Sequence, residues 1–156
     1  MSAMNPAEAN AENKLLVQRF IAAFAEARHE DMAELITDDF VWHIAVTPPG
    51  EATAPAWQSR LLARTGFQWV PIRDRAAFLR HLARRPAQLT VRIHVFNLIA
   101  EGDQVAAEAV AEGTGWANGR QLRNCLSLHF TVAGGKIRLF REYMDTLHRF
   151  DVQDAE

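Results

Sequence analysis

Glu142 sits between Phe140 and Met144 on one face of a strictly alternating segment, Lys136-Ile-Arg-Leu-Phe-Arg-Glu-Tyr-Met144. In a strand, side chains two apart share a face, so this carboxylate is held among large apolar groups. An apolar surrounding disfavours the charged form and moves a glutamate toward about 6–7 in enzymes that tune it this way. Such a group removes a proton next to a carbonyl, or activates water. Asn124, on the facing strand, could orient the carboxylate or a substrate oxygen. His43, in Phe40-Val-Trp-His-Ile-Ala-Val46, is an acid/base candidate if its strand phase turns it inward and structural if Trp42 and Ile44 point in instead.

The strands that must place these groups follow one another along the second half of the chain. Four are expected, at about Gln88–Ala100, Gln104–Trp116, Arg120–Val132 and Lys136–Thr146. Glu101-Gly102-Asp103, Ala117-Asn118-Gly119 and Gly134-Gly135 are the turns between them. Alternation divides this meander into two faces. One carries Arg92, His94, Glu108, Glu112, Arg123, Ser127, His129, Arg141, Tyr143 and Asp145, a mixed-charge surface. The other carries Val91, Ile93, Val95 and Asn97, then Ala107, Ala109, Ala111 and Gly113, then Asn124, Leu126, Leu128 and Phe130, then Phe140, Glu142 and Met144. The run of Ala and Gly leaves space that large side chains would otherwise fill. That space is either a small-molecule pocket or room for Phe20, Phe24 and Phe78 of the helices.

The first half supplies those helices. Leu16, Phe20, Ala23, Phe24 and Ala27 recur at three- and four-residue steps and predict a helix over 11–27. A second, short helix is expected over 30–36, stopped by Thr37-Asp38-Asp39, before a strand over 40–46. Asp74 is a plausible N-cap for a helix over 75–84 with Phe78, Leu79 and Leu82 inward, closed by Pro86. Residues 51–73, with Trp57, Phe67 and Trp69, are expected to form a loop over something apolar, with a possible short helix at Trp57–Ala63. Helices on one face of an antiparallel sheet make an α+β fold.

Composition excludes several function classes. The 156 residues suit one domain, expected at 11–150 between flexible tails at 1–10 and 151–156. A formal charge of −2 gives no reason to expect a nucleic-acid partner. No apolar run approaches the roughly 18 residues of a membrane span, and the N-terminal segment is too polar for a signal peptide. The single cysteine, Cys125, forms no internal disulfide and fits a cytoplasmic location. Six histidines, at positions 29, 43, 81, 94, 129 and 148, show no ligand-like spacing, so neither a metal nor another cofactor is expected.

Three segments carry a family resemblance: Asn13-Lys-Leu-Leu-Val-Gln-Arg-Phe20, Leu35-Ile-Thr-Asp-Asp-Phe-Val-Trp-His43 and Gly135-Lys-Ile-Arg-Leu-Phe-Arg-Glu-Tyr-Met-Asp145. Over about residues 11–150 the chain resembles the nuclear transport factor 2-like superfamily, on its SnoaL-like, ketosteroid-isomerase-like and limonene-epoxide-hydrolase-like branch. The resemblance implies a curved antiparallel sheet with N-terminal helices on its concave face, forming a cone with an internal cavity. It also implies a homodimer through the outer sheet face. In the epoxide hydrolases a closing-strand carboxylate activates water, and Glu142 falls on that position. Their Arg and Asp match Ala109 and Ala111 here, and their Tyr and Asn match Trp42 and Ile44. Ketosteroid isomerases use a first-strand carboxylate, near which this chain offers His43. SnoaL-like cyclases, with a buried carboxylate and histidines, conflict least with the sequence; Glu142 or Asp145 with His43 would serve. The expected lining of the cavity is Trp42, Ile44, Phe20, Phe24, Phe78, Asn97, Ala109, Ala111, Leu126, Phe140 and Met144, with a small apolar organic ligand inside. The alternative reading is a non-catalytic ligand-binding or dimerisation module.

Overall fold

The computed structural model describes residues 5–44, 71–116 and 118–153. Within them lie α1 (Pro6–Ala25), α2 (His29–Leu35), β1 (Ile36–Ile44), β2 (Ile72–Arg73), α3 (Arg75–Ala83), β3 (Thr90–Glu101), β4 (Gln104–Thr114), β5 (Leu122–Ala133), β6 (Lys136–Met144) and α4 (Thr146–Gln153). The expected loop over 51–73 and the helix at Trp57–Ala63 lie outside the described residues, apart from the last positions, which form β2. The strands make one sheet in the order β2-β1-β6-β5-β4-β3. Neighbours are antiparallel, except that β1 runs parallel to β6. This is an α+β fold with a mixed, mostly antiparallel sheet.

Local chemistry explains where the elements start and stop. Helix α1 begins five residues before the apolar stripe suggests, because Asn5 caps it through Ala7 N (3.1 Å) and Pro6 occupies its first turn. Asp74 caps α3 by accepting from Ala77 N at 2.7 Å. At Gly134-Gly135 both residues have positive φ, 56° and 74°, which a two-residue hairpin turn of the primed type needs. The second helix ends at Leu35, ahead of Thr37-Asp38-Asp39 as expected, but that tripeptide does not separate it from the strand. It belongs to β1, where the register against β6 shifts between Ile36 and Val41. The exposed carboxylates face out, Asp38 toward Arg75 and Asp39 toward Arg138.

Two departures alter the wall of the fold. The register of β3 on β4 shifts between Val95 and Asn97, so Phe96 is an inserted residue. Beyond that bulge the phase reverses: Leu98 and Ala100 turn inward, while Asn97 is exposed and donates to Glu108 Oε2 (3.4 Å). Asn97 therefore belongs to the outer face, not the cavity. The second departure is α4, which continues the packed chain to Gln153 and buries Val152. Asp145 starts it, its carboxylate accepting from His148 N at 3.1 Å.

The core fills the space between the helices and the inner face. Phe20 is the hub, with ring centroids 5.3 Å from Phe140, 5.8 Å from Phe130 and 6.0 Å from Phe40. Phe130 and Phe140 stack at 4.8 Å across the β5–β6 pair, and Phe78 of α3 meets Phe40 at 4.7 Å. Ala107 and Ala109 are buried in this core, and α1 packs on β3, β4 and β6. We expect Phe20→Ala to cost about 3–5 kcal/mol of stability, since it empties the hub of a ring cluster. Chemical denaturation of both proteins, with an unchanged m-value, is the measurement.

Candidate active site

Glu142 is positioned by its row of the sheet. It pairs with Ile44 of β1 on one side and Leu128 of β5 on the other, and Leu128 in turn pairs with Ala107. Every neighbour in the row is apolar, and Glu142 is 8% exposed. Trp42 Nε1 donates a hydrogen bond to its Oε2 at 3.3 Å. The positive charge of Arg149, on α4, acts on the same carboxylate.

Burial raises the Glu142 pKa above its ordinary value, against the opposing pull of Arg149 and the Trp42 bond. Burial also lowers the Arg149 pKa, with Glu142 pulling the other way. For both partners the loss of hydration outweighs their attraction, as expected for charges taken out of water. Glu142 is therefore poised to exchange a proton at milder pH than a surface glutamate.

A cavity of about 470 Å³ opens beside the carboxylate. Its walls include Phe24, Trp42, Ile44, Ala111, Asn124, Leu126, Glu142 and Met144 among the residues expected from sequence. Phe20, Phe78, Phe140 and Ala109 do not line it; they belong to the core. The two uses foreseen for the small residues of β4 thus divide along the strand, with Ala107 and Ala109 in the core and Ala111 at the cavity.

Asn124 has a different task from the one expected. Its Nδ2 donates to the Asp145 carbonyl at 2.8 Å and its Oδ1 accepts from Asp145 N at 2.9 Å. This two-point clamp holds the junction of β6 and α4, so Trp42, not Asn124, is the hydrogen-bonding partner of Glu142. His43 is buried, but it pairs in register with Arg141, on the face opposite Trp42 and Ile44. Burial and the charges of Arg141 and Arg73 lower its pKa. The cavity lining does not include it.

The sequence reading missed His81, Arg85 and Arg149. His81 on α3 and Arg85, just past its end, stand three and seven residues after Phe78, in step with the stripe that also carries Leu82. The His81 ring lies 5.3 Å from Trp42, and burial, then Arg84, lowers its pKa, favouring the neutral form. Arg85 donates to Ala25 O at 2.8 Å and more weakly to Phe24 O and Leu89 O, holding the C-terminal end of α1. Arg149 is half-buried, its guanidinium 5.3 Å from the Trp116 ring centroid. Asp145, read as an outer strand residue, was the available signal for the helix that carries Arg149. Among the described residues no group of three or more His, Cys, Asp or Glu could hold a metal ion, and no helix is long and apolar enough to cross a membrane.

A SnoaL-like domain model matches residues 17–140. The chain belongs to the SnoaL-like domain family. Solved structures agree in fold. An epoxide hydrolase from M. tuberculosis, described as limonene-epoxide-hydrolase-like, is 17% identical with a TM-score of 0.69, over 92% of this chain and 90% of that one. A nuclear transport factor 2-like protein from Burkholderia xenovorans LB400 is 23% identical, TM-score 0.66, over 93% and 98%. TerC, co-crystallised with polyporic acid, is 19% identical, TM-score 0.70, over 90% and 97%. No curated protein matches the sequence. At these identities the structures establish the fold, and the reaction must be argued from the cavity.

Two substitutions separate structure from chemistry here. Asn124→Ala removes both clamp bonds; we expect about 1–3 kcal/mol of destabilisation and faster amide exchange over 146–153. Glu142→Gln tests the pKa shift. A carboxyl group whose folded pKa is raised stabilises the fold fully below its unfolded value, and that contribution is lost as pH rises through the folded value. The melting temperature of the wild type relative to Glu142→Gln should therefore fall as pH climbs from the ordinary glutamate range.

Proposed function

We propose that this protein is an acid/base enzyme acting on an apolar carbonyl-containing or polycyclic small molecule, with Glu142 as the proton-transferring group. The observation that carries the reading is a nearly buried carboxylate with a raised pKa on the wall of a 470 Å³ cavity. Cavities of this size are typical of small-molecule sites. In the ionised state Glu142 takes a proton from a carbon next to a carbonyl, and the Trp42 Nε1–H steadies the carboxylate. Charge then developing on the carbonyl oxygen lies within a cavity whose wall carries net positive charge. Return of the proton to a different carbon isomerises the substrate; attack by the carbanion on a second carbonyl closes a ring, and the alkoxide so formed takes the proton back from Glu142. Both steps need the cavity to exclude bulk water, which its apolar lining favours.

A second reading, a ligand-binding module without catalysis, draws on the partners Glu142 already has, Trp42 and Arg149. For the outer face we propose pairing with a second copy of the chain, as the family resemblance implies; Phe96, Ile99 and Tyr143 are exposed, and the Glu112–Arg123 ion pair lies on the same face. Light scattering of the purified protein reads this directly.

Deuterium uptake at the α-carbons of 2-tetralone, followed by NMR in D2O, tests the chemistry without knowledge of the natural substrate. The wild type should accelerate exchange, with an acid limb above the ordinary glutamate pKa because the base must ionise. Glu142→Gln should lose about 100-fold or more. Full exchange by that variant would sink the acid/base reading and favour the binding module.

A further inference from the structure

The charges around the cavity are unequal. Among its described lining residues are three guanidinium groups, Arg84, Arg85 and Arg149, and one carboxylate, Glu142, a formal charge of +2. The other titratable lining group, His81, adds little positive charge at neutral pH, because burial and Arg84 disfavour its protonation. The rest of the wall is largely apolar, including Trp42, Ile93, Leu126 and Met144.

The three arginines differ in what they can offer. Arg85 is tied to backbone carbonyls, which satisfy donors without cancelling the charge. Its cation also lies at the C-terminal end of α1, where a helix favours positive charge, which helps keep it in place. Arg149 is held on α4, stacked near Trp116 and sharing its field with Glu142. Arg84 is exposed and stands nearest to bulk water. The electrostatic interaction between Arg149 and Arg85 lowers the Arg149 pKa, so the two cations act on the same region. Mutually repelling cations at the wall of an apolar cavity are relieved by an incoming anion.

We propose that the ligand of this cavity carries an acidic oxygen group, a carboxylate or an ionised enol, on an apolar ring system, the anion being recognised by Arg149 and Arg85 and drawn in past Arg84. This deepens the substrate reading given above and rests on the same cavity. The anionic group is an anchor, not the reacting atom. It leaves Glu142 free to act on the apolar body, and planar guanidinium groups suit the two oxygens of a carboxylate.

The full-length protein can be tested by calorimetry with 2-naphthoate and with 2-naphthamide, which have the same ring body and differ in charge. The carboxylate should bind about tenfold tighter, as a charge-assisted contact implies. That preference should shrink severalfold in Arg84→Gln, an exposed position where folding is safe, and disappear in Arg149→Met. It should widen in Glu142→Gln, where the formal charge of the wall rises, even as α-carbon exchange is lost. Equal or tighter binding of naphthamide by the wild type would overturn the proposal, as would failure of naphthoate to bind at millimolar concentration. A preference untouched by both arginine substitutions would overturn it too. The exchange assay with 2-tetralone, a neutral ketone, stands apart from these outcomes, so loss of the anion preference leaves the role of Glu142 to be judged separately.

Discussion

The cost of burying Glu142 shapes the open half of this molecule. A carboxylate shielded from water must find a donor, a counter-charge or a proton. Here each comes from a different part of the chain. Trp42 of β1 donates the hydrogen bond, and Arg149 of α4 supplies the positive field. The raised pKa supplies the rest, by making the neutral form accessible. Because β1 runs parallel to β6 at the centre of the sheet, Trp42 and Glu142 can share one wall although they are a hundred positions apart. The Asn124 clamp then holds α4 at the angle from which Arg149 reaches the same region.

The closed half answers a different demand. Phe20, Phe40, Phe78, Phe130 and Phe140 are all fully buried, and their rings meet edge to face, stacked or tilted. Such a cluster is stiff, because each ring is held by several others and cannot tilt alone. Phe24 joins the halves: its ring lies 5.4 Å from Phe140 in the core and 5.8 Å from Trp42 at the cavity. Precise placement of Trp42, and so of Glu142, is inherited from the aromatic core.

Much of the fold was legible because alternation is a local signal. The four long strands, their turns and the inward face of β6 follow from period-two spacing, and Glu142 stood out against it. What the spacing could not show were events that change the phase or join distant segments. The bulge at Phe96 sent Asn97 outward. The clamp on Asp145 occupied Asn124, and that pairing depends on the register of β5 against β6. His43 could not be assigned a side until β1 was paired with β6. Arg149 was hidden for a simpler reason: β6 was read as running through Asp145, where the chain in fact caps a helix. The cationic wall is thus a product of tertiary assembly, built from the C-terminal end of α3 and the middle of α4, two segments that look unremarkable in sequence.

The inserted residue in β3 also bears on how this fold can change over time. A single extra position lets the two halves of one strand obey opposite parities, so the inner wall keeps Val91, Ile93 and Val95 before it and Leu98 and Ala100 after it. Removing Phe96 would leave a regular strand with the same inward set, whereas straightening the strand with every residue kept would turn Asn97 and Ile99 inward in place of Leu98 and Ala100. An extra residue is tolerated at that point because the backbone absorbs it as a bulge and keeps the same side chains on the core.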